Sequence, residues 1–411
     1  MPEDTAINPD ARFEQRRAEI IRAATEHING GDFAAITLTN LARRIGMRYT
    51  GFYHYFDGKD HLAEETFSAT LRIRDANIGA ALTEDGGALH RIRSVVEKEA
   101  SGPMLARMAY VDTLTPAQRK RVVDAMWVNV VDLAAIIEAG VADGSLRECD
   151  PLLTAALTLE WLDRFAGRTN SLSDQKIKPV GLYTTLADLV CMGALVPGEP
   201  LPDVSAAAVL LPALSTATED GPERIEEVLR CLTIAFNRRG VAATSIQSEA
   251  AKLGVTKSVL YRCASTKEEL VFFCMLRGLR FAEAAGLVAD ALTSRPIDEI
   301  VLWGHYLSVI NNSPVGPLPR FSVDGALTDQ HHRAIVARDR VLRARLRGRI
   351  QAAMDDGTLR PSDPAVIESI VTLRSSSYMR VAARRLGRAA FKSGLQASKR
   401  YLLEGLVRDR G

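Results

Sequence analysis

The sequence repeats itself once, and this repeat constrains the fold more than any other feature. When the sequence is aligned with itself so that Gly46 falls on Gly254, the surrounding segments match without a gap. Further along, "IEAGVADGSLRECDP" at 137–151 matches "IQAAMDDGTLRPSDP" at 350–364, at a slightly larger offset. Because the two matches keep their order along the chain, the duplicated element is a whole unit and not one motif. We therefore expect two similar units fused in one polypeptide.

Apolar residues recur every three to four positions in long stretches of the chain. Examples are "RRAEIIRAATEHI", "MWVNVVDLAAIIEAGV" and "PLLTAALTLEWLDRF". This spacing places apolar side chains on one face of an α-helix, and no run of alternating β-branched residues indicates a strand. The sequence predicts an all-α protein.

The composition is that of an ordinary globular protein. The 411 residues are 47% hydrophobic and 25% charged, with a formal net charge of +2, so any case for DNA binding depends on local charge placement. The first residues, "MPEDTAINPDARFEQRRAE", lack the apolar core of a signal peptide. No apolar run approaches the roughly 18 residues of a membrane span. We expect a cytoplasmic protein without a membrane partner.

The residues that usually carry enzyme or metal chemistry do not form recognisable motifs. The five cysteines are scattered and no pair has C-x-x-C spacing, which argues against a zinc site or a disulfide framework. Nor does the sequence contain a P-loop, a nucleophile elbow or a dinucleotide fingerprint. We expect no cofactor and no enzymatic activity.

Residues 36–62, "ITLTNLARRIGMRYTGFYHYFDGKDHL", predict short helices separated by a glycine turn. Thr37 is suited to cap the first helix. Gly46 can adopt the left-handed conformation that ends a helix sharply. A second helix is expected over about 48–55, and Asp57 is expected to cap a third. This order is typical of a helix-turn-helix motif.

The second copy, "TSIQSEAAKLGVTKSVLYRCASTKEEL" at 244–270, shows the same pattern of helices and glycine turn. Ser245 is its expected helix cap and Gly254 its turn. Ser265 and Glu268 have the spacing of a capping box at the start of the following helix. Both copies are therefore predicted to form a helix-turn-helix.

Both segments resemble the N-terminal domain of the TetR family of transcriptional regulators. "LARRIGMRYTGFYHYFDGKDHL" is similar to the family pattern of helix, glycine turn, recognition helix ending in Tyr-x-x-Phe, then Lys-Asp-x-Leu. The resemblance implies a repressor that a small-molecule effector releases from DNA. It also implies C-terminal helices that hold the effector and pair two units. A chain with two units is then expected to form an intramolecular pseudo-dimer on an asymmetric operator, and further association of whole chains is left open.

The repeat and the resemblance together predict the domain bounds. Pro197, Pro200, Pro202 and Pro212 preclude a continuous helix between the units. The expected order is a disordered tail (1–12), a helix-turn-helix domain (13–67), a helical ligand and pairing domain (68–196), a linker (197–221), a second helix-turn-helix-like domain (222–275) and a second helical domain (276–411). By resemblance, helices near 151–167 and 179–195 would pair with those near 364–386 and 391–408.

The side chains expected to contact operator DNA come from both copies. Polar residues at the start of a recognition helix can reach base edges, whereas tyrosine hydroxyls and first-turn lysines can contact phosphates. The predicted DNA-binding residues are Thr39, Arg48, Tyr49, Thr50, Tyr53, His54 and Lys59 in the first copy, and Lys257, Ser258, Tyr261, Arg262 and Lys267 in the second.

The second copy departs from the family pattern at the end of its recognition helix. Cys263 and Ala264 stand where the first copy has Tyr55 and Phe56. Replacing a packed phenylalanine by alanine removes contact worth about 3–5 kcal/mol in a core. Two hypotheses follow: each unit reads one half-site, or only the first reads DNA and the second is a structural or ligand-binding partner. A third is a ligand-binding helical scaffold without a DNA role.

The effector site is less well defined by the sequence. Large aromatic residues on predicted helices are candidates to line it, and each can equally be an ordinary core residue. The candidates are Trp127, Trp161, Phe165, Trp303 and Tyr306. The segment 331–350 contains seven arginines, which could contact an anion or form a solvated helix face.

Overall fold

The computed structural model describes the chain as an assembly of α-helices. The described residues are 9–29, 37–166, 179–202, 223–252, 254, 264–321, 323, 325–372, 377–387 and 400–408. Within these ranges, extended pairing is confined to two isolated β-bridges. The prediction of an all-helical protein is confirmed for this part of the chain.

The helices fall into two series. The first half forms α1 (Pro9–Asn29), α2 (Leu38–Arg44), α3 (Tyr49–Phe52), α4 (Lys59–Thr83), α5 (Ala88–Ser101), a 3₁₀-helix (Met108–Thr113), α6 (Pro116–Ala142), α7 (Pro151–Ala166) and α8 (Pro179–Met192). The second half forms α9 (Glu223–Arg239), α10 (Ile246–Lys252), α11 (Lys267–Leu292), α12 (Pro296–Asn312), α13 (Asp329–Asp355), α14 (Pro364–Val371) and α15 (Ser377–Leu386).

Some of the predicted domain bounds do not coincide with the ends of these helices. The helix α1 begins at Pro9, inside the segment expected to be a disordered tail. The helix α4 continues through residue 67 to Thr83, so one rigid helix joins the two predicted domains of the first half. Most of the predicted linker, 203–221, and residues 391–399 of the last predicted helix lie outside the described residues.

The repeat is visible in the long helices α6 and α13. Both contain 27 residues, and they begin at Pro116 and Asp329, which are in register with each other in the second sequence match. Each ends in the same turn: the Leu146 amide donates to the Gly140 carbonyl at 2.8 Å, and the Leu359 amide donates to the Ala353 carbonyl at 2.7 Å. The shared "DG(S/T)LR" sequence thus builds the same local structure twice.

A buried asparagine braces the first helix of each half against a distant loop. The Asn29 side chain donates to the Leu105 carbonyl at 2.8 Å. Its counterpart Asn237 donates to the Leu318 carbonyl at 3.0 Å. In both copies the same asparagine also accepts an amide two residues further along the loop. These paired bonds show that the repeat extends to the tertiary contacts of α1 and α9.

The two halves meet through reciprocal backbone hydrogen bonds. The Leu195 amide donates to the Leu403 carbonyl at 2.8 Å. In return, the Val407 amide donates to the Cys191 carbonyl at 2.9 Å. The donors Leu195 and Val407 are as far apart in the chain as the acceptors Cys191 and Leu403. The two bonds therefore occupy equivalent places in the two halves. Backbone hydrogen bonds thus run in both directions between residues 191–195 and 403–407.

The turns after α6 and α13 take part in the same exchange. The Arg147 amide donates to the Leu406 carbonyl at 3.1 Å, and the Arg360 amide donates to the Ala194 carbonyl at 2.9 Å. The two isolated β-bridges, Leu146 with Val407 and Leu195 with Leu359, belong to this exchange. Each half therefore donates backbone hydrogen bonds to the other at this place.

Side chains extend the contact between the halves. The Trp161 ring stacks on the Tyr401 ring with centroids 4.7 Å apart and planes 7° from parallel. The Tyr401 hydroxyl lies 2.7 Å from the Thr158 hydroxyl, in hydrogen-bond contact. All three side chains are buried, so this contact belongs to the core.

The helix α6 is, within the described ranges, the one helix long and apolar enough to cross a membrane by length and composition. Of its apolar window, 44% is buried inside the protein, as in the core helix of a globular domain.

Candidate nucleic-acid interface

The first helix-turn-helix begins as the sequence predicts. The Thr37 side chain accepts the Asn40 amide at 3.1 Å and caps α2. Gly46 has a φ of +64°, in the left-handed region that favours glycine. From α1, the Arg16 side chain donates to the Ile45 carbonyl at 2.9 Å and so holds the end of α2.

The recognition element itself is shorter than expected. The helix α3 spans only Tyr49–Phe52, with Arg48 in extended conformation before it, and residues 53–55 form a turn. The following helix also starts differently: α4 begins after Gly58, and no side chain caps it. The prediction that Asp57 caps α4 is wrong, because Gly58 occupies the N-cap position and no side chain bonds to the free amides of the first turn.

Aromatic side chains on one side of this element form its core. Phe52 and Phe56 are fully buried, with ring centroids 5.5 Å apart. Tyr55 stacks on Phe13 of α1 with centroids 4.7 Å apart. These contacts seat α3 against α1, so the aromatic cluster is a packing element and not an open pocket.

The predicted DNA-binding residues of the first copy, unlike these aromatics, are mostly exposed. Arg48, Tyr49, Thr50, Tyr53 and His54 are all exposed. Thr39 on α2 is exposed as well, and Lys59, the first residue of α4, is half-buried. These side chains belong to three consecutive helices and to the turn that follows α3.

Two tyrosines on this surface form a pair that sequence spacing alone did not indicate. The hydroxyls of Tyr49 and Tyr53 lie 2.5 Å apart, and their rings pack edge to face. The hydrogen bond with Tyr49 raises the pKa of Tyr53. Either hydroxyl can donate this bond, so one of the two tyrosines keeps its proton for an external acceptor such as a phosphate oxygen.

In the second copy, Lys257, Ser258, Tyr261 and Arg262 lie outside the described residues. Lys267 is described, and its ammonium group donates to the Thr244 carbonyl at 2.8 Å and to the Ala242 carbonyl at 3.4 Å. Burial lowers the pKa of Lys267. Two of its three donors are thus directed at the protein's own backbone.

The start of α11 corrects one detail of the predicted capping. Thr266, and not Ser265, is the N-cap, since its hydroxyl accepts the Glu269 amide at 3.1 Å. Glu268 does not form the predicted capping box. Its carboxylate accepts the Thr328 amide at 2.9 Å, which connects α11 to the N-terminal end of α13. The Ser245 cap of α10 and the left-handed Gly254, with a φ of +60°, are as predicted.

The candidate ligand-binding aromatics are mostly packed into the core. Trp161 stacks on Tyr401, and Phe165 is buried. Trp303 donates its indole N–H to the Ala282 carbonyl at 3.0 Å. Trp127 is half-buried. Tyr306 is buried, its hydroxyl has no hydrogen-bond partner among the described residues, and burial raises its pKa.

A buried charge cluster joins the two halves behind the first helix-turn-helix. Arg74 of α4 is 1% exposed and donates to Glu99 at 2.9 and 3.1 Å and to Asp163 at 3.2 Å. It also donates to the hydroxyl of Tyr378, on α15 of the other half, at 2.9 Å. Sequence reasoning missed this cluster because its members are up to 304 residues apart.

A second buried carboxyl lies beside that cluster. The Glu160 side chain accepts the amides of Tyr378 and Met379 at 2.8 and 3.3 Å, at the start of α15. Burial and the neighbouring Asp163 raise the pKa of Glu160 to about 8. Glu160 is therefore mostly protonated at neutral pH.

The arginine-rich segment 331–350 lies on α13 and is largely paired within the protein. Arg347 contacts the fully buried Glu368 at 2.6 Å, and Arg345 contacts Asp290 at 3.1 Å. Arg343 pairs with Glu368 and Arg349 with the buried Glu299. Among the described residues, no group of His, Cys, Asp or Glu could hold a metal ion.

The order of α2, the glycine turn and α3 is that of a helix-turn-helix motif. Residues 20–66 match the family model described as "Bacterial regulatory proteins, tetR family". The matched segment extends from within α1 into α4, so this part of the chain is similar to the N-terminal domain of TetR-family transcription regulators.

Two solved structures are similar to parts of the chain. One is PfmR, a TetR family transcriptional regulator from Thermus thermophilus, with 21% identity over 41% of this chain and 95% of that chain and a TM-score of 0.36. The other is a transcriptional regulator of the TetR/AcrR family from Thermobifida fusca, with 18% identity over 43% and 96% and a TM-score of 0.33. No curated protein matches the chain.

Proposed function

We propose that this chain is a DNA-binding transcriptional regulator in which two units, fused in one polypeptide, pair with each other. The observation that carries the proposal is the reciprocal exchange of backbone hydrogen bonds between 191–195 and 403–407. In a fused chain the second unit is always present at high effective concentration. A paired arrangement would therefore persist at dilutions at which two separate chains dissociate.

Contact with DNA is assigned first to the first unit. Support comes from the match of residues 20–66 and from the exposed side chains Arg48, Tyr49, Thr50, Tyr53 and His54 around α3. Arg48 and Thr50 would reach base edges, while Tyr53 and Lys59 would contact phosphates. If both units bind, the operator is asymmetric, because the two recognition segments differ in sequence.

The same proposal assigns the remaining helices to effector binding and pairing, in a cytoplasmic repressor. The effector would act by a population shift, favouring a spacing of the two helix-turn-helix units that fits the operator less well. An effector that binds without changing operator affinity would contradict this part.

A second reading, in which only the first unit contacts bases, is favoured by two observations. Ala264 stands at the position of the buried Phe56, and Lys267 directs two donors to backbone carbonyls of its own unit. Alanine at Lys257 and Arg262 separates the readings. Unchanged affinity and an unchanged salt slope would support the second reading, whereas a loss of both would support two-unit recognition.

The test of the proposed function is a mobility-shift titration with the promoter DNA beside the protein's own gene. A specific shift that competitor DNA of unrelated sequence does not remove is expected. Absence of any shift at low salt across that region would favour a helical ligand-binding scaffold without a DNA role.

A further inference from the structure

The 3₁₀-helix (Met108–Thr113) of the first half packs against α9, the first helix of the predicted second helix-turn-helix-like domain. It also packs against α15 of the second half. The contact between the 3₁₀-helix and α9 therefore crosses from one half of the chain to the other. At this place the 3₁₀-helix can determine where the second helix-turn-helix-like domain lies relative to the first half.

The start of the 3₁₀-helix is held by buried groups. The Met108 amide donates to the two carboxylate oxygens of Asp163 at 2.9 and 3.1 Å. The Met108 carbonyl accepts the hydroxyl of Ser377, on α15, at 3.1 Å. All three residues are buried. Because Asp163 also accepts Arg74 of α4 at 3.2 Å, the 3₁₀-helix is connected to the helix that follows the first helix-turn-helix.

Asp112, near the end of the 3₁₀-helix, binds two arginines of the second half. Its Oδ2 atom lies 3.1 Å from Nη2 of Arg320 and 3.2 Å from Nη2 of Arg380. The three side chains are 16%, 17% and 26% exposed, so solvent screens these contacts less than those of a surface ion pair. Among the described residues, neither arginine forms a second ion pair. Asp112 is therefore the anion that both arginines share.

Arg320 connects Asp112 to α9. It lies in the loop between α12 and α13, and its backbone amide donates to the side chain of Asn237 on α9 at 2.8 Å. Asn237 is buried and donates in turn to the Leu318 carbonyl of the same loop at 3.0 Å. Since the loop and α9 are bonded together, moving α9 away from the first half would break the ion pair of Arg320 with Asp112.

We propose that Asp112 is a positioning residue. Through its two arginine partners it holds the second helix-turn-helix-like domain at one place against the first half, and so fixes the separation of the two half-sites that the chain reads. The half-site separation rests on the proposed function, with both units on DNA, whereas the position of α9 can be measured without DNA. The apolar cores of the two helix-turn-helix regions do not include Asp112, so its substitution should displace the second domain without unfolding it.

A pair of spin labels at equivalent places in the two helix-turn-helix regions measures this position without DNA. Labels at Asn40 of α2 and Ser248 of α10, both exposed, are introduced as non-natural amino acids so that the native cysteines remain. Double electron–electron resonance on the full chain should give one narrow distance distribution in the parent. Asp112→Asn leaves two partly buried guanidinium groups without their anion, so the distribution should broaden or shift.

Further variants make this measurement specific. Arg320→Gln removes the same ion pair from the other side and should change the distribution in the same direction. The double variant should change it no further than Asp112→Asn alone, because both substitutions break one contact. Asp188→Asn is the matched control, since Asp188 forms an ion pair at 2.7 Å with Arg93 within the first half.

The parent distribution in Asp112→Asn would overturn the proposal, and so would an equal broadening in Asp188→Asn. If Asp112→Asn does not fold, Arg320→Gln decides by the same criterion.

Selection from a random-sequence pool of duplexes measures the half-site separation. The parent and Asp188→Asn should select pairs of half-sites at one spacing, because recognition segments held in place meet the same groove positions on each duplex. Asp112→Asn should select the same half-sites at several spacings. A loss of stability alone would weaken binding at every spacing alike, so it would not produce this change.

The outcomes of the selection separate this proposal from the proposed function. Selection of one spacing by Asp112→Asn, as by the parent, would overturn the proposal. Selection of a single half-site by the parent would overturn the part on half-site separation and favour DNA contact by the first unit alone. If the parent selects no sequence, the proposed function fails, and the spin-label distances decide by themselves whether Asp112 positions α9.

Discussion

Gly193 and Gly405 lie back to back where the two halves of the chain exchange backbone hydrogen bonds. A Cβ built on Gly193 would lie 2.4 Å from the amide nitrogen of Gly405, and one built on Gly405 would lie 2.2 Å from the amide nitrogen of Gly193. Both have positive φ values, +70° and +67°. Only glycine at both places allows the two backbones to come this close.

Alanine at either of these glycines should therefore destabilise the protein beyond the cost of the backbone conformation. The left-handed conformation costs an alanine about 1–2 kcal/mol, and overlap with the opposite backbone should add about 1–3 kcal/mol. Gly198→Ala is the matched control, since Gly198 has a φ of +85° but no atom within 4 Å of the added Cβ. Equal urea-unfolding midpoints for Gly193→Ala and Gly198→Ala would contradict the close contact.

Loss of the buried Arg74 is expected to lower the free energy of unfolding far more than loss of an ordinary ion pair. Arg74→Met would leave the carboxylates of Glu99 and Asp163 buried without their cation, which should cost about 3–5 kcal/mol of unfolding free energy. Arg93→Met, which removes a half-buried ion pair with Asp188, should cost at most about 1 kcal/mol. Similar losses in chemical denaturation of the two variants would show that the buried cluster is not a structural centre.

The raised pKa of Glu160 predicts a specific pH dependence. Because the folded protein holds this proton up to about pH 8 and the unfolded chain releases it near 4.5, stability should fall as pH rises between these values. The Glu160→Gln variant cannot release the proton, so it should be more stable than the parent at pH 9, by on the order of a few kcal/mol. Glu138→Gln, at an exposed position, is the control. A parallel pH dependence for parent and Glu160→Gln would refute the assignment.

Lys59 should contribute charge and not sequence recognition to DNA binding. Lys59→Gln is expected to weaken binding to all sequences alike and to reduce the salt slope by about one. Lys120→Gln makes the same charge change on α6, and its amine lies 2.8 Å from Asp124. Fluorescence anisotropy at several salt concentrations measures both slopes, and an equal change for the two variants would place Lys59 away from the phosphates.

The sequence predicted what local spacing controls. Thr37 and Gly46 act on their immediate neighbours in the chain, and the structure uses both as expected. Phe52 and Phe56 lie four residues apart, as apolar residues on one helix face do, and both are buried. Asp57 was misjudged because it lies one residue before the N-cap position, which Gly58 occupies.

What the sequence could not predict is which residues of the two halves contact each other. Nothing near Arg74 indicates that a tyrosine from α15 will meet it, and nothing near Gly193 indicates another glycine behind it. Such contacts arise only when the repeat is folded on itself. Lys267 is a similar example. It was expected to contact a phosphate, but its ammonium group donates to the backbone carbonyls of Ala242 and Thr244.

The most direct test of the account is the number of chains that bind one operator. Chain and operator duplex would be titrated at concentrations at which the chain sediments as a single species, with stoichiometry read by native mass spectrometry. A fused pair of units predicts one chain per duplex and a Hill coefficient of 1, because pairing is already complete within the chain. A requirement for two chains per duplex, with cooperative binding, would contradict it.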